Sequence, residues 1–308
     1  MKVIDILKQR EGHPFPSLEF VPPLKGNGIN RLYEAIEPLM EFEPPYMNIT
    51  CHRNERTDGR IVSKRPGTVA IAAAVMKRFP IEVVPHILCA YTSRDELENE
   101  LIDLNFLDID NVMVLRGDTG PDSTFRPEKN GYTYSSQLVG QIADLNKGLY
   151  IDRSLQNPVP THFCVGVAGY PEKHRQAPDL QTDIAHLKEK VDAGADYVIT
   201  QMFFDNEKFY RFVELCRKAG ISCPIIPGLK PVSSKKHLSS LAEAFALEFP
   251  EDLRRAMEKC TSDKEVYEFG IEWCVAQSRD LIAHGAPAVH YYTMGRAANI
   301  RSILQQVY

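Results

Sequence analysis

The sequence predicts an α/β protein, a (β/α)8 TIM barrel with extra C-terminal helices. Short apolar runs alternate with longer helical patterns eight times along the 308 residues. That alternation implies a parallel sheet, because strands joined through helices run in one direction. The open doubly wound alternative is weakened by what is absent: no Gly-x-Gly-x-x-Gly follows any run, and there is no Walker-type loop. With no internal repeat, low-complexity tract or composition shift, residues 1–308 read as a single domain.

The strand-like runs are Ser17–Val21, Tyr46–Cys51, Val83–Leu88, Asn111–Leu115, His162–Ala168, Tyr197–Met202, Cys223–Pro227 and Ala288–Tyr292. Helical patterns cover Ile29–Met40, Thr68–Phe79, Asp95–Asn105, Ser135–Asn146, Asp179–Ala193, Lys208–Lys218, Lys235–Leu247, Glu251–Glu258, Lys264–His284 and Arg296–Gln306. Ser93 with Glu96, and Ser262 with Glu265, read as capping boxes. Gly194 and Gly220 follow the last turns of their helices, where a left-handed residue closes the helix. The stretches 52–66, 116–134 and 147–160 exceed ordinary connections and read as functional loops.

Composition narrows the function classes. Hydrophobic content of 44% and charged content of 25% are those of an ordinary globular protein, and the net charge of -5 argues against a nucleic-acid or anionic-membrane partner. No apolar run reaches membrane-spanning length, and the N-terminus lacks the pattern of a signal peptide. The seven scattered cysteines never form Cys-x-x-Cys, which suits reduced cytoplasmic thiols. No compact His/Asp cluster has metal-ligand spacing, so no metal site is expected.

In such barrels chemistry sits at the C-terminal ends of the strands. In the first run, alternation puts Leu18 and Phe20 on one face and Glu19 on the other, and Pro22-Pro23 stops the strand. A carboxylate inside a buried strand needs a partner or a function; otherwise Glu19 is an exposed edge residue. The other strand ends offer Thr50, Cys51 and Arg53, then His86, Arg116-Gly117-Asp118, Tyr170 and His174, Gln201, and Arg296. Each has a blander reading: Asp118 as a turn cap, His86 as a satisfied core histidine, Gln201 as an interior amide, Tyr170 as packing, and Arg296 as a surface residue at a helix start. A cation at that last position opposes the helix dipole, which favours a ligand role. On the helix 179–193, Asp183, His186 and Lys190 form a polar stripe opposite Ile184, Leu187 and Val191. The stripe is either a solvated face or a contact for a polar cofactor across the barrel mouth.

The motifs Ser17-Leu18-Glu19-Phe20-Val21-Pro22-Pro23, Leu115-Arg116-Gly117-Asp118, Ala168-Gly169-Tyr170-Pro171, the run 188–196, Ile199-Thr200-Gln201-Met202-Phe203-Phe204 and Ile226-Pro227-Gly228 together resemble the methylenetetrahydrofolate reductase family. The likeness runs in order from about Ser17 to Gln306. It implies a cytoplasmic, homo-oligomeric FAD enzyme of one-carbon metabolism and methionine biosynthesis. Such an enzyme reduces 5,10-methylenetetrahydrofolate to 5-methyltetrahydrofolate with NADH or NADPH, by ping-pong kinetics over the flavin. Glu19 matches the general acid that protonates folate N10; burial is expected to raise its pKa and hold the proton near neutrality. Asp118 matches the acid near flavin N1, which also faces the folate. Thr50, Cys51, Arg53, His86, Arg116, Gly117, Tyr134, Ser135, Tyr170, His174, Asp183, His186 and Lys190 match cofactor-binding positions. Thr50, Gln201, His237 and Arg296 join Glu19 and Asp118 on the substrate side.

Val21 and Met202 depart from the family pattern conservatively. Leu241 stands where some members place a nicotinamide-stacking Phe, which leaves the hydride donor's binding mode open. The regulatory domain that follows the barrel in animal members is absent from these 308 residues. Three other readings compete: a different FAD-dependent TIM-barrel oxidoreductase of the proline dehydrogenase type, a catalytically dead barrel kept as a binding subunit, and a metal-dependent barrel hydrolase. Gln201 and Arg296, suited to a pterin and its glutamate tail, count against the first.

Overall fold

The computed structural model describes residues 1–52, 55–57, 60–62, 64–90, 92–117 and 127–308, the side chains of 55–57 and 60–62 excepted. Eight parallel strands close a barrel: β1 Phe15–Phe20, β2 Tyr46–Ile49, β3 Glu82–Leu88, β4 Asn111–Leu115, β5 Cys164–Gly169, β6 Tyr197–Met202, β7 Ile225–Leu229 and β8 Ala288–Tyr292. They follow chain order around the ring, with β1 pairing β2 on one side and β8 on the other. The eight expected strands are all present. The helices are α1 Val3–Gln9, α2 Asn30–Ile36, α3 Thr68–Arg78, α4 Arg94–Phe106, α5 Ser135–Leu145, α6 Leu180–Asp192, α7 Asn206–Lys218, α8 His237–Phe245, α9 Glu251–Lys259, α10 Asp263–Ala283 and α11 Ala298–Val307. No helix among the described residues is long and apolar enough to cross a membrane.

Strand alternation divides the core into two shells. Leu18, Phe20, Met47, Ile49, Val83, Val112, Val165, Val198 and Val289 point outward into the layer beneath the helices. Phe15, Tyr46, Val84, Met113, Cys164, Tyr197, Ile199, Ile226 and Ala288 fill the lower barrel, which Val3, Ile6 and Leu7 of α1 close from below. Asn111 ties that plug in place: its Oδ1 accepts from Val3 N (2.8 Å) and its Nδ2 donates to Met1 O (2.9 Å). The lower end of the barrel interior is thus closed by α1.

Several boundaries differ from expectation for local reasons. The first expected helix is α-helical only as α2 and continues as a 3-10 turn, Glu37–Phe42. Pro38 there removes a backbone donor and opposes a continuing α-helix. The long stretch 52–66 contains a short antiparallel hairpin, Glu55–Thr57 with Arg60–Val62. The box at Ser93 is complete, with Glu96 N donating to Ser93 Oγ and Ser93 N to Glu96 Oε2 (3.3 and 2.8 Å). The one at Ser262 is half formed: Ser262 Oγ accepts from Glu265 N (3.3 Å), but the Glu265 carboxylate takes Thr261 N (2.6 Å) instead. Gly220 closes α7 at φ +79.

β7 starts two residues later than its apolar run. Val198 and Ile199 of β6 face Ile225 and Ile226, but Met202 then faces Gly228, so three steps on β6 span two on β7. Pro227 lies in that interval and has no N–H to give the ladder. The Thr200 hydroxyl substitutes by accepting from Gly228 N (2.9 Å). This bulge ends β6 just where its side chains reach the mouth.

Candidate functional site

At the C-terminal mouth a cleft of about 830 Å³ is lined from seven of the eight strands or the loops that follow them and from α6. That volume lies within the range of about 300–1,000 Å³ typical of ligand sites. Its floor is Glu19. β1 turns Ser17 and Glu19 inward and ends at the prolines; Arg65 donates to the Pro22 carbonyl and fixes the exit.

Glu19 meets two imidazoles. Its Oε2 lies 3.4 Å from His86 Nε2 on β3 and 3.6 Å from His290 Nε2 on β8. The other ring nitrogen of His290, Nδ1, is 2.9 Å from Ser17 Oγ, the residue paired with it across the β1–β8 register. His86 Nε2 also lies 3.2 Å from Asn48 Nδ2, while Asn48 Oδ1 is buried without a hydrogen-bond partner. Burial pushes the Glu19 carboxyl up, but the close approach of His290 and the fields of His86 and His52 outweigh it, so it sits below its ordinary value. The expectation that burial raises it is therefore corrected: the carboxyl is surrounded by imidazole rings, not by apolar groups alone. His86 is pushed down to about 4, mainly by burial, with Glu19 opposing, and is neutral at pH 7.

From this floor one arm of the cleft runs over β2 to β5. Thr50 follows β2 and is held there by Thr50 N donating to Phe20 O (3.0 Å); its hydroxyl lies 3.2 Å from His52 Nε2. Cys51 lines the same wall, and burial raises its thiol. Arg116 donates to Gln176 Oε1 (2.6 Å). Gly117, at φ +95, packs so closely that a Cβ would lie 3.1 Å from that of Ala90. Tyr134 and Ser135 enter from the start of α5, with Tyr134 58% exposed.

The α6 stripe faces the cleft and not the outer solvent. Asp183, His186 and Lys190 all line it, while Ile184 and Leu187 bury against the barrel. Asp183 Oδ2 accepts from His174 N (2.9 Å), and His174 meets Tyr170 edge-on at 4.8 Å between ring centroids. Lys190 Nζ donates to Ala168 O (2.6 Å), and burial, partly offset by Asp183, lowers it to about 8. On the other side of the floor, Gln201 lines the cleft just past the β6 bulge, its Oε1 accepting from Met202 N (2.9 Å).

The structure does not bring every expected residue to this cleft. His237 and Arg296 lie outside its lining, beyond Tyr292 and Met294. Asp118 and Arg53 lie outside the described residues. Conversely, His290, Ser17, Asn48 and Tyr292 were not singled out from sequence. The signal was available: in Ala288-Val289-His290-Tyr291-Tyr292, alternation gives His290 the inward parity of Ala288, as Ser17 shares that of Glu19. Among the described residues no group of three or more His, Cys, Asp or Glu is placed to hold a metal.

Comparison with known proteins agrees with this architecture. A family model described as methylenetetrahydrofolate reductase matches residues 3–308. The 5,10-methylenetetrahydrofolate reductase of Salmonella typhimurium is 31% identical over 292 residues, covering 94% of this chain and 90% of that protein. The probable methylenetetrahydrofolate reductase (NADPH) of Caenorhabditis elegans is 32% identical over 299 residues, but those cover 96% of this chain and 42% of that one. The chain likewise spans 48% of the Arabidopsis thaliana methylenetetrahydrofolate reductase (NADH) 1, so it is about half the length of such relatives. In fold, it resembles a Clostridium thermocellum protein described as binding two copies of 5-methyl-5,6,7,8-tetrahydrofolic acid, at a TM-score of 0.59 and 14% identity over 98% of this chain and 96% of that one.

Proposed function

The chain belongs to the methylenetetrahydrofolate reductase family, and from that premise we propose that it reduces 5,10-methylenetetrahydrofolate to 5-methyltetrahydrofolate at the expense of NADH or NADPH, with FAD as the intermediate carrier. The observation that carries the reading is the placement of Glu19. It is a nearly buried carboxyl on the floor of one cleft that also gathers Arg116, Tyr170, Lys190 and Gln201.

FAD, the cofactor of this family, suits the residues present. Arg116 and Lys190 give this arm the positive charge that matches a pyrophosphate, His174 and His186 add ring nitrogens for hydrogen bonds, and Asp183 and Glu189 beside them suit ribose hydroxyls. Gly117 leaves backbone open to close approach at the ring end. Thr50, Cys51, His86, Tyr134, Ser135 and Tyr170 complete the cofactor contacts, with Arg53 and Asp118 assigned to the same set. When bound, FAD would supply hydride transfer between the nicotinamide and the folate's one-carbon unit.

The chain's own residues supply the rest. Gln201 reads the pterin edge by its amide, and Asp118 is assigned the role of the acid near flavin N1. Glu19 protonates N10 so that the five-membered ring opens. Its proton is replenished through His290, whose ring stands between Ser17 and the carboxyl. A flat ligand over Glu19 excludes water, which favours the protonated carboxyl and moves it toward an acid's role. We place all of this in a single catalytic domain, 1–308, that works in the cytoplasm as a homo-oligomer; sedimentation analysis of the purified protein reports the assembly.

An anaerobic pair of half-reactions tests the function. NADH or NADPH should bleach the FAD-loaded protein, and methylenetetrahydrofolate should then restore the yellow oxidised form. A flavin that bleaches but is not reoxidised by the folate refutes the reading.

A further inference from the structure

Below Glu19 the barrel interior holds a tier of buried hydroxyls. Ser17 sits two residues below Glu19 on β1, fully buried, with its Oγ 2.9 Å from His290 Nδ1. Tyr46 is its neighbour on β2. The β1–β2 register runs Leu18 to Met47 and Glu19 to Asn48, so one step earlier Ser17 faces Tyr46. Met47 and Ile49 point outward, which turns Tyr46 and Asn48 to the interior. The Tyr46 phenol is fully buried and its hydroxyl makes no hydrogen bond. Burial raises it, with Ser17 opposing and Cys164 of β5 adding to the rise. Tyr197 of β6, on the opposite wall of the barrel, brings a second buried hydroxyl without a partner. Buried hydroxyls are seldom left unpaired, so a phenol kept beside Ser17 calls for a physical reason.

His290 supplies that reason. Its Nδ1 meets Ser17, and its Nε2, which has no hydrogen-bond partner of its own, faces Glu19 Oε2 at 3.6 Å. A neutral imidazole donates at one nitrogen and accepts at the other. Against a Glu19 carboxylate, Nε2 carries the proton, and Nδ1 accepts from the Ser17 O–H. Against a protonated Glu19, the carboxyl O–H donates to Nε2 and Nδ1 carries the proton and donates to Ser17 Oγ. The Ser17 O–H must then turn to a different acceptor, and the oxygen of Tyr46 stands next to it. The two arrangements differ by the one proton held on Glu19; the ring has the same charge in both.

We infer that Tyr46 is a positioning residue for the acid form of Glu19: by accepting the Ser17 proton, it allows the His290 tautomer that a protonated Glu19 requires. This rests on the reading of Glu19 as the general acid. The titratable groups that face the carboxyl are His86 of β3, His290 and Tyr292 of β8, and His52 after β2. Those around the phenol are Cys164 and Tyr197. Without the Tyr46 oxygen, the acid form leaves the only proton of Ser17 buried and unpaired. The carboxylate form leaves no donor unpaired, so the cost falls on the acid form.

Tyr46→Phe is the test. It keeps the ring that packs edge-on against Phe15 (6.0 Å between centroids) and removes only a hydroxyl that makes no hydrogen bond, so the urea midpoint should not fall. The FAD-loaded variant should still bleach with NADH. Stopped-flow reoxidation by methylenetetrahydrofolate is then followed from about pH 5.5 to about pH 9. The limb that reports Glu19 should lie about one pH unit lower than in the unmodified protein, the scale of one lost hydrogen bond. In a Ser17→Ala background, adding Tyr46→Phe should not move the limb further, because the hydroxyl that Tyr46 serves is gone. Tyr197→Phe removes the other unpaired hydroxyl and should leave the limb in place. An unmoved limb in Tyr46→Phe, or the same shift with and without Ser17, overturns the inference and leaves the acid role of Glu19 standing. A normal folate half-reaction in Glu19→Gln refutes that role, and this inference with it. Should Ser17→Ala not fold, the two tyrosine variants still decide: equal shifts in Tyr46→Phe and Tyr197→Phe overturn the inference.

Discussion

Glu19 Oε2 lies 3.6 Å from His290 Nε2, and the same imidazole reaches Ser17 Oγ at 2.9 Å through Nδ1. Two residues of one strand are thus joined through a single ring on the neighbouring strand. Because Ser17 and His290 are register partners, the arrangement is set by the β1–β8 pairing itself and needs no mobile loop. A carboxyl so held is placed to receive a proton as well as to donate one.

Glu19→Gln should therefore separate the two half-reactions. The variant is expected to bind FAD and bleach with NADH, since the amide keeps the shape of the floor. It should reduce methylenetetrahydrofolate more slowly by roughly 10²–10⁴-fold, the usual contribution of a general acid. Stopped-flow reoxidation gives the rate directly; a normal folate half-reaction removes Glu19 from the acid role.

His290→Asn tests the relay by its pH dependence. With the imidazole gone, burial acts on Glu19 with less opposition, so the carboxyl's pKa rises. The limb of the folate half-reaction that reports Glu19 should move to higher pH than in the unmodified protein. A slower variant with an unmoved profile would assign His290 to packing alone.

The histidine on the other side of Glu19 has a stability consequence. His86 falls from 6.5 to about 4 in the folded protein. A depressed group contributes stability that is present above its unfolded value and lost as pH falls through its folded value. The loss due to His86 thus runs from about pH 6.5 to about pH 4 and amounts to about 3 kcal/mol. Glu19, also depressed, adds a loss of the same sign at the acid end. Urea midpoints for His86→Gln should fall less between pH 7 and pH 4.5 than those of the unmodified protein.

The barrel was legible because its strands are apolar runs punctuated by Gly and Pro, and strand-end geometry then pointed to Glu19, Thr50, His86, Arg116, Tyr170 and Gln201. What escaped has physical causes. α1 is seven residues with no side-chain cap, too short to announce itself by periodicity. The bulge between β6 and β7 shows only once the two strands are paired. His290 lay hidden in an apolar run, and the sign of the Glu19 shift depended on rings contributed by strands distant in sequence. Burial can be guessed from alternation along one strand; the neighbours that decide a pKa cannot.

Lys190 predicts how cofactor retention varies with pH. Burial lowers its ammonium to about 8, and a pyrophosphate favours the charged form. FAD affinity should hold steady below that pH and then weaken by up to about ten-fold per unit as the lysine deprotonates. Lys190→Met should bind FAD more weakly at pH 7 and show a flatter profile. Fluorescence titrations with FAD between pH 7 and 9.5 measure both effects.

Gly228 is the point where the bulge, the mouth and β8 meet. A Cβ there would lie 2.2 Å from Thr200 O and 2.8 Å from Tyr292 Cε2. Neither neighbour is free to withdraw, because Thr200 O accepts from Tyr292 OH (2.6 Å) and Thr200 Oγ1 accepts from Gly228 N (2.9 Å). Gly228→Ala should therefore destabilise by about 3 kcal/mol, the scale of an overpacked core with a displaced backbone. It should also slow the folate half-reaction more than the nicotinamide one, since the shift falls on Thr200 and Gln201. Gly140 in α5 is the control: no atom lies within 4 Å of its Cβ position. Gly140→Ala should stabilise by about 0.5–1 kcal/mol through helix propensity. Urea denaturation of the two variants should give shifts of opposite sign; a neutral Gly228→Ala would mean that the β6–β7 bulge yields where its hydrogen bonds say it is fixed.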